Sequence, residues 1–421
     1  MIWQRAECVR EINDQFGAGG RLLFGDALKT DLEAYTGQAQ CVYLDPPGMS
    51  GNSFTCRMRV GDKGWQTGKR YVELPAYKDF SAVSGKDYDA FLLRLLRRAR
   101  GMMAETGSIF LHTDQFAAAR ARMIMDEVFG QENFRNEIIW RYQTGGRSKR
   151  YFSRKHDNIL FYAKSPVHFF DITRVPSQKK ADRANHMKRR VDEKGRSYRS
   201  LTTGGKTYIY YDDEPAYPDD VWDDVSSMQQ KDPQRTGYPA QKPQALLERM
   251  VLSTTNPGDL VADLTCGSGT ALVAAAANER RFLGLDNSVI SLSVCRKRLA
   301  SWSLAMEAPL HESEALVDAS ALAGIGYYTV SLHAHTLPAN PLAGYPCRPA
   351  GLDAAGLDAV DQWYAGLLNN GVFTAYNASL RQKQTPELAR ELEVPLLRGT
   401  VAILIVDVLG RRSLWTGARA M

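Results

Sequence analysis

The stretch Cys41-Val42-Tyr43-Leu44-Asp45-Pro46-Pro47-Gly48 decides how the rest of the 421-residue chain reads. Val42, Tyr43 and Leu44 are apolar and strand-prone, so they predict a buried strand. Two consecutive prolines cannot donate to a strand ladder, so the strand must end at Asp45. Its carboxylate is then held at a strand tip with stiff backbone behind it. Strand tips of an open α/β sheet are where ligands bind. An acceptor fixed there, followed by carbonyls that cannot swing away, suits the gripping of an amino group. Taken alone, the same residues also describe a strand-ending turn with a solvated aspartate.

Outward from this stretch the pattern is α/β. Upstream, Met1 to Gly20 reads as a short helix or tail, 21–24 as a strand and 25–28 as a turn into a helix. Downstream, residues 49–81 carry Gly, Lys and Arg with Phe54, Trp65, Tyr71 and Tyr77 and no clear period, which predicts a mobile loop beside the Asp45 tip. Phe91, Leu92, Leu95, Leu96 and Ala99 share one face of a helix expected over 88–103 and ended by Gly107. A strand over 108–112 closing at Asp114, a helix over 116–129 and a strand over 136–142 follow. This β-α-β-α-β order predicts a parallel sheet. After an irregular span containing one strand, 156–163, regular structure resumes at Gln241. A helix is expected over 246–253, strands over 260–263 and 281–285, and helices to Ala277 and over 290–302. Beyond 305 the pattern predicts strands over 327–332 and 400–408 and helices over 353–368 and 386–392. His333 and His335 read as surface residues, too few to hold a metal.

Composition sets the class. With 44% hydrophobic and 24% charged residues the chain reads as a soluble globular protein of two to three domains. No apolar stretch follows a basic N-terminal segment, and the run 401–406 is far too short to span a bilayer, so neither a signal peptide nor a membrane segment is expected. The six cysteines (8, 41, 56, 266, 295, 347) lack paired metal spacing, which predicts free thiols, no metal and a reducing, cytoplasmic setting. Net charge is +6, but residues 141–200 hold 17 Lys and Arg against 5 Asp and Glu, a local +12, leaving the remainder at −6. One basic segment on a slightly acidic chain points to a polyanion. The alternative is a solvated basic loop.

A second motif lies far downstream. Residues 260–270 read as strand, glycine turn and helix, and Asp286 falls 19 residues beyond Gly267 at the end of the next strand. Glycines let backbone approach a ligand, and the later carboxylate binds ribose hydroxyls, the layout of an adenosine-type cofactor site. The turn is Gly-Ser-Gly rather than the longer dinucleotide fingerprint, so a pyrophosphate cradle is not favoured.

With both motifs in hand, the sequence resembles the amino-group DNA methyltransferases that use S-adenosylmethionine. The subgroup is the one whose catalytic motif precedes the cofactor motif, like the modification subunits of type III restriction systems. The resemblance rests on Asp45-Pro46-Pro47, on Asp263 with Cys266-Gly267-Ser268-Gly269-Thr270, and on Tyr238-Pro239-Ala240-Gln241-Lys242-Pro243. Gly25-Asp26, 108–114, 136–142 and Val221-Trp222-Asp223-Asp224 also match, covering roughly residues 20–302. It implies a Rossmann-like methyltransferase sheet split into a catalytic half (20–142) and a cofactor half (237–305), with a target-recognition insertion (143–236) and a small α+β C-terminal region (306–421). It implies that Asp45, with Pro46 and Pro47, grips the amino group of a flipped adenine. Gly267 and Gly269 lie near the methionine part of the cofactor, within a site that includes Asp263, Thr265, Cys266, Ser268 and Thr270. Asp286 meets the ribose and Asp26 the adenine of the cofactor, and Gln241, Lys242 and Pro243 close the methionine pocket. Duplex DNA is the expected partner, contacted by Arg147, Lys149, Arg150, Arg154 and Lys155. A restriction subunit and a second copy of the chain are further expected partners.

Two departures stand out. The family places an aromatic residue after Asp-Pro-Pro to stack on the base, and this chain has Gly48. Such a stack contributes ~1–3 kcal/mol. The family also places Pro-Phe after the cofactor-motif Asp, and here Leu264-Thr265 stand instead. Phe54, Trp65 or Tyr71 are candidates for a substitute stack. A cytosine-N4 enzyme, an RNA methyltransferase and a DNA-binding protein of weakened activity remain alternatives. An Asp-first catalytic motif favours adenine.

Overall fold

Along the strand that ends before Asp45, successive side chains enter opposite cores. The computed structural model describes residues 8–12, 19–81, 85–143, 148–176, 187–310, 316–337 and 340–419. In chain order the first elements are β1 (Cys8–Ile12), β2 (Gly20–Phe24) and β3 (Ala39–Leu44). All six residues of β3 are buried, as expected of a strand covered on both faces. Cys41 and Tyr43 pack into one core with Leu246, Leu247 and Ala271–Ala276. Val42 and Leu44 pack into the other with Leu92, Leu95, Leu96 and Met125.

The segment expected as a mobile loop is instead ordered: β4 (Ser53–Arg59), α1 (Gly61–Thr67) and β5 (Tyr71–Lys78), with β4 and β5 paired antiparallel. Its alternating buried residues Cys56, Met58, Val72 and Leu74 form a core of their own with Tyr238 and Leu342. Then come α2 (Gly85–Met102), β6 (Met103–Thr113), α3 (Ala118–Phe129), β7 (Phe134–Arg141) and β8 (His156–Ala163). Gly107 does not end α2. It lies inside β6, where a Cβ would meet the Ala39 carbonyl at 2.8 Å, so glycine there serves close strand packing.

Three exposed strands follow, β9 (Arg189–Val191), β10 (Ser197–Thr203) and β11 (Lys206–Tyr211), and then β12 (Val221–Trp222). Regular α/β structure resumes with α4 (Gln244–Thr254), β13 (Leu260–Asp263), α5 (Thr270–Ala277), β14 (Arg281–Asp286) and α6 (Val289–Arg298). The chain ends in strands: β15 (Leu304–Pro309), β16 (Leu316–Ala323), β17 (Tyr327–Thr336), β18 (Cys347–Arg348), β19 (Val360–Asn369), β20 (Val372–Leu380), β21 (Glu391–Pro395), β22 (Thr400–Asp407) and β23 (Arg412–Arg419).

One sheet of fourteen strands runs β12-β7-β8-β6-β3-β13-β14-β2-β15-β1-β20-β19-β22-β23. From β6 to β15 every neighbouring pair is parallel. β8 is antiparallel to both β6 and β7, so this strand, assigned to the insertion from sequence, belongs to the central sheet, as does β12. Within the span assigned to the insertion, β9, β10 and β11 form a separate three-stranded sheet. The N-terminal stretch read as helix or tail contributes β1, which joins β15 to β20. After the 25–28 turn only a short 3-10 turn, Glu33–Tyr35, forms, and α6 stops at Arg298.

The C-terminal region corrects two helices. Residues 353–368 form a 3-10 turn and β19, and 386–392 lead into β21. Ion pairs fasten this region to the rest: Lys297 Nζ to the buried Asp361 at 2.8 Å, and the buried Arg381 to Asp62. His335, expected at the surface, is 1% exposed. No described helix is long and apolar enough to cross a membrane.

Candidate functional site

Five adjacent parallel strands end at one edge of the sheet, each with an aspartate at or just past its tip: Asp114 (β6), Asp45 (β3), Asp263 (β13), Asp286 (β14) and Asp26 (β2). β13 pairs with β3, Ala262 opposite Val42, so the turn after β13 lies beside the Asp45 tip although 220 residues separate Asp45 from Thr265. A cavity of about 400 Å3 opens at this edge. Asp26, Asp45, Pro46, Pro47, Gln241, Lys242, Asp263, Thr265, Cys266, Gly267, Ser268, Thr270 and Asp286 all line it. Pro243 and Gly269 do not.

The two motifs are bonded to each other. The Asp45 backbone N–H donates to Thr265 Oγ1 at 3.3 Å, and the Thr265 N–H donates to Asp263 Oδ1 at 3.0 Å. Thr265, a departure at the level of sequence, therefore ties one strand tip to the next. Gly267 and Gly269 have φ of +50° and +74°, which favour glycine. The Gly267 N–H donates to Asp286 Oδ2 at 2.9 Å, and Ser288 N–H donates to Oδ1 at 2.9 Å. Burial pushes the Asp286 and Asp263 carboxyls above the usual range, Asp263 well above it.

Seven aspartates and a single ammonium, that of Lys242, line the cavity. Lys242 Nζ lies 2.9 Å from Asp45 Oδ2. Burial works against its charge, but the carboxylates of Asp45, Asp157 and Asp114 outweigh that and raise its pKa. The strong predictions from motif spacing missed Asp157, at the start of β8. Burial alone would raise its pKa, yet a hydrogen bond from His112 at 3.1 Å, the Lys242 charge and a bond from the Tyr142 hydroxyl at 3.2 Å hold it down at about 2. His112 Nδ1 in turn lies 3.1 Å from the Tyr43 hydroxyl. In the sequence His112 is marked only as the last residue of the strand expected over 108–112. Asp79, also unforeseen, accepts from the Gly48 N–H at 2.8 Å and from Ser50 at 2.6 Å.

A Cβ on Gly48 would lie 2.9 Å from Asp114 Oδ2, so a larger residue there requires that carboxylate to shift. Of the three aromatic candidates only Phe54 lines the cavity, stacked on Tyr77 with ring centroids 4.6 Å apart and 21° between planes. Trp65 sits instead under Arg59 and Lys297, and Tyr71 under Arg57.

The 238–243 segment crosses the glycine turn. Thr270 Oγ1 donates to the Lys242 carbonyl at 3.2 Å, and Gln241 is spent on the segment itself, accepting from Thr236 and donating to Gln234. Ala240 has φ +53°, a strained conformation for alanine.

Among the expected DNA contacts, Arg147 lies outside the described residues. Lys149, Arg150, Arg154 and Lys155 lie on the chain between β7 and β8, just before Asp157. Arg154 stacks on Phe116 and Tyr151, and Phe152 is 99% exposed. Part of the remaining basic segment is neutralised by the acidic run that follows it: Arg189 pairs with Asp212, Arg196 with Asp213 and Arg141 with Asp223.

Residues 39–290 match the family described as N6_N4_Mtase, DNA methylase. The chain is 25% identical over 312 residues to type II methyltransferase M.EcaI of Enterobacter cloacae, covering 62% of this chain and 65% of that one. It is 29% identical to type II methyltransferase M.HpaI of Haemophilus parainfluenzae, covering 58% and 67%. The alignments thus span about two thirds of those relatives' lengths. Among solved structures, the putative DNA modification methylase TTHA0409 of Thermus thermophilus, complexed with S-adenosyl-L-methionine, superposes with a TM-score of 0.40 at 19% identity, covering 68% of this chain and 97% of that one.

Proposed function

We propose that this chain, which belongs to the N6_N4_Mtase family of DNA methylases, moves a methyl group from S-adenosylmethionine to the N6 amino group of adenine in duplex DNA. The observation that carries this reading is the shared cavity. The Asp45 tip and the glycine turn of residues 267–269, far apart in sequence, converge on one space, and Thr265 is bonded across the join. The donor set suits a cationic cofactor. Aspartates outnumber the one ammonium seven to one, and Asp286 stands at a strand tip with backbone donors already holding its orientation. Asp286 would meet the ribose hydroxyls, Asp26 the cofactor adenine, and the 267–269 turn the methionine part.

When bound, S-adenosylmethionine supplies an electrophilic methyl on a sulfonium leaving group. The chain's own residues orient the nucleophile. The N6 lone pair is delocalised into the base, so Asp45 and the Pro46 carbonyl accept its N–H bonds and return electron density to nitrogen. The methyl would pass to nitrogen as the C–S bonding pair returned to sulfur, and the displaced N–H proton would pass to solvent water. The base must leave the duplex to arrive here. Lys149, Arg150 and Arg154, beside the exposed Tyr151 and Phe152, would meet phosphates near the cavity mouth.

The test is tritiated methyl transfer to mixed-sequence duplex DNA by the wild type and Asp45→Ala, followed by methylation-aware sequencing. Wild-type incorporation at adenine N6, reduced about 10³-fold by the substitution, is expected. Incorporation at cytosine N4 would replace adenine as the target, and absence of incorporation with intact DNA binding would end the enzymatic reading.

A further inference from the structure

The resemblance implies that Lys242 closes the cofactor's methionine pocket, but its side chain goes elsewhere. Only its carbonyl faces the glycine turn, accepting from Thr270 at 3.2 Å, while Nζ reaches Asp45 Oδ2 at 2.9 Å. Asp45 Oδ1 accepts no hydrogen bond among the described residues.

We infer that Lys242 is a positioning residue for Asp45: its ammonium fixes the carboxylate through Oδ2 and leaves Oδ1 as the acceptor for the amino group of the target base. This rests on the functional reading above and adds a residue to it. The support begins with geometry: Nζ is seated on Asp45 Oδ2. The charge of Asp157, itself held by bonds from His112 and Tyr142, also favours the ammonium. His112 closes back on Tyr43, two residues before Asp45 on the same strand. Hydrogen bonds thus tie β3, β6 and β8 together beneath the Asp45 tip, and the ion pair of Lys242 ties the 238–243 segment to that tip. A carboxylate at a strand tip with Asp114 nearby would otherwise be free to rotate and would face like charge. A buried ammonium removes both problems with one ion pair. It also explains why a lysine is tolerated in a cavity suited to a cationic cofactor: its charge is consumed by acids on the base side.

The two placements of Lys242 predict different losses. Full-length wild type, Lys242→Met and Lys242→Arg are compared by steady-state methyl transfer to plasmid DNA. Calorimetric titration with S-adenosylhomocysteine, the demethylated product, reads cofactor affinity independently of turnover. A positioning role predicts kcat down about 100-fold in Lys242→Met and about tenfold in Lys242→Arg, whose charge is kept and whose fork geometry differs. Cofactor Kd and KM should stay within about threefold in both. Lys242→Arg carries the test if the methionine variant does not fold. A tenfold or larger loss of cofactor affinity with kcat intact would overturn the inference and return the side chain to the cofactor pocket; unchanged kcat and Kd would overturn it as well. A wild type that binds S-adenosylhomocysteine but methylates no DNA would remove the functional reading itself, and this inference with it.

Discussion

Strands β3 and β19 are both buried nearly end to end, one at the heart of the candidate site and one in the C-terminal region, yet only β3 could be read from the sequence. β3 is short and stopped by two prolines, and the helices that cover it announce themselves on either side. β19 is ten residues long and has cores on both faces, Trp363, Ala365 and Leu367 on one and Tyr364 on the other. A strand covered on both faces shows no polar alternation, so its apolar run looks like a buried helix. The signal that separates them was present: Asn370-Gly371, at φ +49° and +75°, is the hairpin turn that joins β19 to β20. Burial on two sides erases period, and punctuation is then the only local clue.

Both regions pair their buried charges, but the C-terminal region also buries one ring without partners, and the largest predicted effect tests that. Around Asp45 the buried charges are paired. In the C-terminal region both ring nitrogens of His335 lack a partner among the described residues. Burial, aided by the nearby Arg411 charge, pulls its pKa down to about 4. The histidine is thus neutral in the fold and more readily protonated in the unfolded chain. Stability is unaffected above about pH 6.5, falls as pH drops through that value, and loses about 3 kcal/mol in full by pH 4. Between pH 7.5 and 5 the wild type should lose about 2 kcal/mol relative to His335→Leu in urea denaturation. Parallel profiles for the two proteins would show that His335 is hydrated or paired in solution.

The second prediction concerns the site. The catalytic tip, the glycine turn and Asp286 were legible because each is punctuated by glycine or proline and each ends a strand. Asp157, His112 and Asp79 were not, because nothing in their local sequence marks them; they enter the site through antiparallel β8, through β6 and past β5. Phe54 lies between these cases. It was one of three candidate rings, and only the pairing of β4 with β5 stacks it on Tyr77 against the cavity. If this pair offers the face on which the base rests, Phe54→Ala should cost about 1–3 kcal/mol in kcat/KM for DNA and leave S-adenosylhomocysteine binding intact. Trp65→Ala, outside the cavity, should lower stability with little effect on kcat/KM. Equal kinetic losses in the two variants would assign Phe54 to packing alone.

The smallest effect returns to backbone conformation, where the two regions again diverge. Asn370 and Ala240 both lie in the left-handed region, at φ +49° and +53°. At Asn370 the residue suits the conformation, since asparagine tolerates it and the hairpin demands it. At Ala240 it does not, and the alanine is held there by the bonds of Gln241 to Thr236 and Gln234 and by the ion pair of Lys242 with Asp45. Strain of about 1–2 kcal/mol is expected for an alanine in this conformation. Ala240→Gly relieves it but loosens the unfolded chain by about 0.4–1 kcal/mol, so a net gain of about 0.5–1 kcal/mol should appear in urea denaturation. Asn370→Ala, the opposite exchange of suitability, should lose a similar amount. If Ala240→Gly is instead less stable, the methyl group makes a contact worth more than the strain, and the 238–243 segment is held by packing rather than by its hydrogen bonds.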